Sequence, residues 1–169
     1  MPSTNLKRTR LKQVGGAFVG ADQKHIKNIL AALDMQDCKP AASPTLTKEP
    51  EEGEELDRVT TKIYRSCVGT LLYILDDRPD LLRDGGLLAG GMSKPLEGHL
   101  QRLKHLVRYL AGTYDLGTWM PQPRPGKHVE LTCWSDTNWA SKETGRKSVS
   151  CGVIEAGGCV LPASPRGRV

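Results

Sequence analysis

Residues 64–82 read YRSCVGTLLYILDDRPDLL. A tyrosine followed by the paired carboxylates Asp76 and Asp77 invites a metal-holding reading, because two divalent cations kept a few ångströms apart clamp the attacking and leaving oxygens of a phosphoryl transfer. The residues before the pair oppose it. Tyr64, Cys67, Val68, Leu71, Leu72 and Leu75 recur at helical spacing, so this is an amphipathic helix running out into a turn. Asp76 and Asp77 then fall at or just past the helix C-terminus, where the negative end of the macrodipole disfavours each by ~0.3 to 1 kcal/mol unless Arg78 compensates. Pro79 is placed to open the next helix.

On the N-terminal side, Asp22 is a good N-cap for DQKHIKNILAALDMQ, in which Ile26, Ile29, Leu30 and Leu33 make one apolar stripe. The next segment, PAASPTLTKEPEEGEEL, holds Pro40, Pro44, Pro50 and a run of acids, and reads as a loop or tether. On the C-terminal side, Gly85, Gly86, Gly90 and Gly91 predict a short, bent or frayed helix, since each glycine costs about 0.8 to 1 kcal/mol against alanine. Ser93 and Pro95 then open the clearest helix, with Leu96, Leu100, Leu103, Val107 and Leu110 apolar and Gly112 closing it. After PQPRPG the period changes to two: VELTCW and VSCGVI alternate, and Ala156-Gly157-Gly158 marks a hairpin into CVL.

These elements give an α+β chain: a small helical bundle followed by an incomplete sheet of about three antiparallel strands. The organisation read from them is a basic N-terminal arm over 1–20, a helical region over 21–115 with an acidic loop at 40–58, and a sheet region over 116–169.

The charge is +5, from 24 Lys and Arg against 19 Asp and Glu. Lys7, Arg8, Arg10 and Lys12 crowd the start, while Glu49, Glu51, Glu52, Glu54, Glu55 and Asp57 form an acidic run. This mild excess is compatible with nucleic acid but is equally what solvated surfaces carry. Five cysteines show no C-x-x-C pair or zinc spacing, and no apolar leader is present, which predicts a reduced intracellular protein, cytoplasmic or nuclear. No apolar run approaches the ~20 residues of a membrane helix. His25, His99, His105 and His128 are scattered, and Trp119, Trp134, Trp139 and Tyr109 read as core or strand-packing residues.

The segments MQDCKPAASP (35–44), YRSCVGTLLYI (64–74), RPDLL (78–82), MSKPLEGHLQRLKHLVRYLAGTYDLG (92–117) and CWSDTNWASKETGRKSVSCGVI (133–154) follow one another as in the Pol polyproteins of copia-type LTR retrotransposons, which this chain resembles. The resemblance implies the stretch from the end of reverse transcriptase into ribonuclease H. The helices would then be thumb and connection, and the strands an incomplete ribonuclease H-like sheet. It also implies that the polymerase Y-x-D-D turn lies upstream of the KP segment, so YILDD, with one residue too many between Tyr73 and Asp76, is a decoy.

By the same resemblance, Asp136 in CWSDTNW is the first metal-binding carboxylate of ribonuclease H, a vestigial catalytic residue and a weak, incomplete metal site. The family's further acids are implied on a helix after the third strand, past Val169. Asn138 stands where a second aspartate is common, and Glu130, Glu143 and Glu155 occupy no family position. Pro162 would remove a ladder donor from a central strand. The expectation is a chain that is catalytically inactive alone, holding no cofactor itself although the complete parent uses Mg²⁺. An ordinary exposed acid is the other reading of Asp136. Candidate phosphate contacts are Arg102, Lys104 and Arg108, with Arg146 and Lys147 as a second group, although basic residues opposite an apolar stripe also mark any surface helix. The implied partners are an RNA:DNA hybrid or primer-template duplex and the rest of the Pol polyprotein, with no membrane. The alternatives are a weak, sequence-nonspecific nucleic-acid-binding module and a translated relic without selected function.

Overall fold

The apolar stripes of the helical region converge on one core. A computed structural model of the chain describes residues 3–5, 8–122, 126, 128–138, 149–161 and 166–167. Helix α1, Gln23–Ala32, is capped by Asp22, whose carboxylate accepts from the Lys24 amide at 3.0 Å. Helix α2, Arg58–Ile74, is capped by Asp57, which accepts from the amides of Val59 and Thr60. Two 3-10 turns, Leu75–Asp77 and Pro79–Leu81, lead into α3, Leu82–Gly90, which is short as its glycines predict. Helix α4 spans Glu97–Gly112. Its start is held by His99, whose Nδ1 accepts from the Leu96 amide at 3.0 Å.

Ile26 and Ile29 of α1, Tyr64, Cys67, Val68, Leu71 and Ile74 of α2, Leu88 of α3, and Leu103, Leu106, Val107 and Leu110 of α4 are buried together with Leu75 and Leu81. Each such side chain contributes on the order of 1.5–3 kcal/mol by leaving water. Contacts divide the chain into two units, Ala21–Leu116 and Met1–Gly20 with Gly117–Val169.

In the second unit, β1 (Ser3–Asn5), β2 (Arg8–Gln13), β3 (Gly16–Ala21) and β4 (Thr118–Pro121) form one sheet in that order. Strands therefore occupy the segment read as a basic arm. Strands β5 (Leu131–Asn138), β6 (Val149–Ala156) and β7 (Cys159–Leu161) form the other, with β8 (Arg166–Gly167) also pairing β6. All pairs of this sheet are antiparallel. The β6–β7 hairpin turns through Gly157 and Gly158 at φ +55° and +85°, the left-handed pair that a two-residue turn matching strand twist requires. Trp119 and Trp134, expected as packing residues, are exposed. Trp139 lies outside the described residues.

Candidate nucleic-acid interface and carboxylate site

The basic face of α4 is covered. Residues 39–56, with neither helix nor ladder of their own apart from one bridge, run antiparallel along it as a strap. At the C-terminal end Arg108 Nε donates to the Lys39 carbonyl at 2.7 Å, and the Ala41 amide donates to the Arg108 carbonyl at 3.2 Å. His105 Nε2 stands 2.9 Å from the Ser43 carbonyl, so that nitrogen is the donor. Arg102 pairs with the Glu49 carboxylate and lies 3.6 Å from Asp84 Oδ1. At the N-terminal end the amides of Gly98 and Glu97 donate to the carbonyls of Glu52 and Glu54 at 2.9 and 3.0 Å, and Leu56 donates to Pro95 at 3.0 Å.

Packing at both ends is tight. A Cβ on Gly98 would collide with the Glu51 carbonyl oxygen, and one on Gly112 would come within 2.9 Å of Pro40. Between these ends the strap arches over an open cleft of about 370 Å³ lined by Leu46, Lys48, Glu49, Pro50, Glu51 and Gln101. The strap is also joined to α3, where Asp84, 1% exposed, accepts from the Thr45 hydroxyl on Oδ2 at 2.6 Å.

The three α4 candidates for phosphate contact therefore differ. Arg102 faces two carboxylates and its side chain is only 11% exposed, Arg108 is engaged by the strap backbone, and Lys104 is exposed. Arg146 and Lys147 lie outside the described residues. Sequence reasoning misses Thr45 and Asp84 and takes His105 only as one of four scattered histidines; a buried aspartate in LLRDGG and a histidine on a basic helix face carry no local signal of a partner 39 or 62 residues away.

The Asp76–Asp77 pair does not form an open acidic site: Asp76 is exposed but Asp77 is buried in the 3-10 turn. The neighbouring Arg78 is only 1% exposed. Its Nε and Nη2 hold the Asp80 carboxylate at 3.0 and 2.8 Å, and Nη1 donates to the Thr113 carbonyl at 2.7 Å. Nη2 also reaches the Thr113 hydroxyl at 2.9 Å, while the Tyr109 hydroxyl donates to Asp80 at 3.0 Å. Burial pushes the Asp80 pKa up, but the Arg78 hydrogen bonds and charge, with the Tyr109 hydroxyl, outweigh it and hold the carboxyl below its ordinary 3.8.

Asp136 stands exposed on β5, paired in register with Cys151. The register places Thr132 opposite Glu155, so Glu155 shares its face but lies about 13 Å along the strand direction, four residues of rise. A two-metal site needs ligands around cations only ~3.5–4 Å apart. Glu130 precedes β5 altogether, and Glu143 lies outside the described residues. Among the described residues no three of His, Cys, Asp and Glu gather at a spacing that would hold a metal ion. Nor, among them, is any helix long and apolar enough to cross a membrane.

The order of segments around these sites has counterparts in known proteins. The chain is 31% identical over 141 residues to the retrovirus-related Pol polyprotein from transposon RE1 of Arabidopsis thaliana, which covers 81% of this chain and 9% of that one. It is 33% identical over 123 residues to the RE2 Pol polyprotein of the same plant, 71% of this chain and 8% of that one. It belongs to the copia-type retrotransposon Pol family. The copia-type segment present here thus spans less than a tenth of those polyproteins. A shorter relative, the secreted RxLR effector protein 161 of Plasmopara viticola, is 36% identical over 107 residues, 62% of this chain and 73% of that protein. No family model matches the chain, and no solved structure matches it. Two motifs of the copia-type resemblance, RPDLL and RYLAGT, are here the two halves of the Arg78–Asp80–Tyr109–Thr113 network.

Proposed function

We propose that the chain is the part of a copia-type Pol polyprotein joining reverse transcriptase thumb and connection to the beginning of ribonuclease H, and that by itself it positions rather than catalyses. The parent activity would be RNA-directed DNA polymerisation with hydrolysis of the RNA:DNA hybrid, and the partners the rest of the polyprotein and that hybrid. The observation that carries the reading is the isolation of Asp136 on β5. A magnesium ion prefers several oxygens in near-octahedral order, and the described residues offer one carboxylate there, so they do not fit the metal pair of hybrid hydrolysis. The helical unit supports a mechanical role, since its buried Arg78 and its strap fix element positions instead of opening a site.

The test is a fluorescent RNA:DNA hybrid incubated with the purified chain in Mg²⁺ or Mn²⁺. The expected result is an intact RNA strand. Cleavage that disappears in Asp136→Asn would overturn the inactive assignment. A second reading, weak and sequence-blind binding of a duplex backbone, is favoured by the row of cations on α4 and is tested by affinity that falls as salt rises.

A further inference from the structure

We propose that the strap over residues 39–56 is a displaceable occupant of the row of side-chain donors on α4, standing in the free chain where the phosphate backbone of a nucleic-acid duplex would bind. This rests on the duplex-binding reading above. Arg102, His105 and Arg108 follow one another every three residues, a rise of about 4.5 Å each. Each meets an oxygen of the strap: the Glu49 carboxylate, the Ser43 carbonyl and the Lys39 carbonyl. Guanidinium and imidazole donors aimed at a line of oxygens are the same groups that hold phosphates in sequence-blind contacts. The strap thereby fills the row with oxygens of its own.

Its anchoring is uneven in a way that permits release. Backbone hydrogen bonds fix residues 52, 54 and 56 at one end and Ala41 at the other. The middle is held by side-chain contacts alone, to α4 through Arg102 and His105 and to α3 through the Thr45 hydroxyl on Asp84, and spans the open cleft beside Gln101. The Glu49 side chain is half exposed, and an ion pair of that kind contributes no more than about 1 kcal/mol. Glu49, Glu51, Glu52, Glu54 and Glu55 are exposed along the strap, so a polyanion approaching α4 is repelled until the strap gives way. Lys104, exposed beside the row, offers a first contact.

The experiment compares binding of a labelled RNA:DNA hybrid to the full chain, to Glu49→Gln and to Asp34→Asn at low salt, with hydrogen exchange of the unaltered chain with and without hybrid. Asp34 is an exposed acid at φ +54°, a conformation asparagine accepts, so its substitution removes the same charge from outside the strap. Glu49→Gln is expected to bind about fivefold more tightly and Asp34→Asn less than about twofold, the difference corresponding to one released ion pair. Hybrid should also speed exchange of amides in 41–52 while those of α4 stay protected. Equal tightening by the two variants, or slower exchange in the strap on binding, overturns the displacement while leaving duplex binding intact. Absence of binding by all three at low salt removes the duplex reading and the proposal with it.

Discussion

Arg78 donates to the backbone carbonyl of Thr113 at 2.7 Å across 35 residues, tying the turn after α2 to the last turn of α4. The same guanidinium grips Asp80, and the Thr113 hydroxyl donates back to the Tyr109 carbonyl at 2.8 Å. A helix C-terminus leaves carbonyls without intrahelical partners. Here an arginine from elsewhere in the chain satisfies one, so RPD and YLAGT meet in a single network.

Replacing Arg78 by alanine should therefore lower the unfolding free energy by about 3 kcal/mol, because it strands Asp80 and the Thr113 carbonyl in a partly buried place. Lysine keeps the charge but cannot bridge both partners, so Arg78→Lys should recover less than half of the loss. Urea unfolding followed by circular dichroism measures both. A loss under about 1 kcal/mol for Arg78→Ala would mean that water replaces the clamp at little cost.

The lowered pKa of Asp80 sets an acid limit. A carboxyl held below its ordinary 3.8 in the fold contributes stability that is present above that value and is lost as pH falls through the lowered one. The unfolding free energy should thus decline on acidification below about pH 4, and Asp80→Asn should show a shallower decline over the same window. Parallel acid profiles for the two proteins would show that other carboxylates govern the loss.

Tyr64 sets the alkaline limit. Burial pushes its hydroxyl up to about 12 from the ordinary 10, and the group donates to the Leu88 carbonyl at 2.7 Å. Since the fold favours the neutral form, its contribution is complete below pH 10 and disappears as pH rises through about 12. Tyrosinate absorbance should show one tyrosine ionising only together with unfolding, and that late step should be missing in Tyr64→Phe. Loss of the hydrogen bond in that variant should lower stability by about 1 kcal/mol at neutral pH.

How much of this was legible follows from how local each signal is. Helix positions, the Asp22 cap and the glycine hairpin depend on residues a few places apart, and periodicity exposed them. Periodicity also put Leu72 on the stripe, whereas Ile74 and Leu106 are buried and Leu72 is exposed, because the packing partners and not the sequence spacing choose the face. The basic-arm reading of residues 1–20 misses β2 and β3 because RTRLKQ carries a single apolar residue, Leu11, among polar ones and so declares no buried side. Arg78 and Asp84 give no sequence sign of burial, because their partners Thr113 and Thr45 lie 35 and 39 residues away. The strap was least legible: proline and acid content mark the absence of regular structure, yet its attachment runs through backbone groups that every sequence shares. For Asp136, the strand was legible and the spacing to Glu155 was not, because it depends on register.

That attachment makes opposite predictions for two helical glycines. Gly69 lies exposed in the middle of α2, with nothing within 4 Å of where a Cβ would stand, so Gly69→Ala should stabilise the chain by about 0.5–1 kcal/mol through helix propensity alone. Gly98, in the first turn of α4, gains less from propensity, and its Cβ would collide with the Glu51 carbonyl and force the strap outward from its bonds at Glu52 and Glu54. Gly98→Ala should lose about 1–3 kcal/mol net and speed hydrogen exchange at the Gly98 and Glu97 amides, whose acceptors lie in the strap. Thermal melts of the two variants decide it: if both alanines raise the melting temperature, the strap yields freely at its N-terminal anchor and does not hold the start of α4.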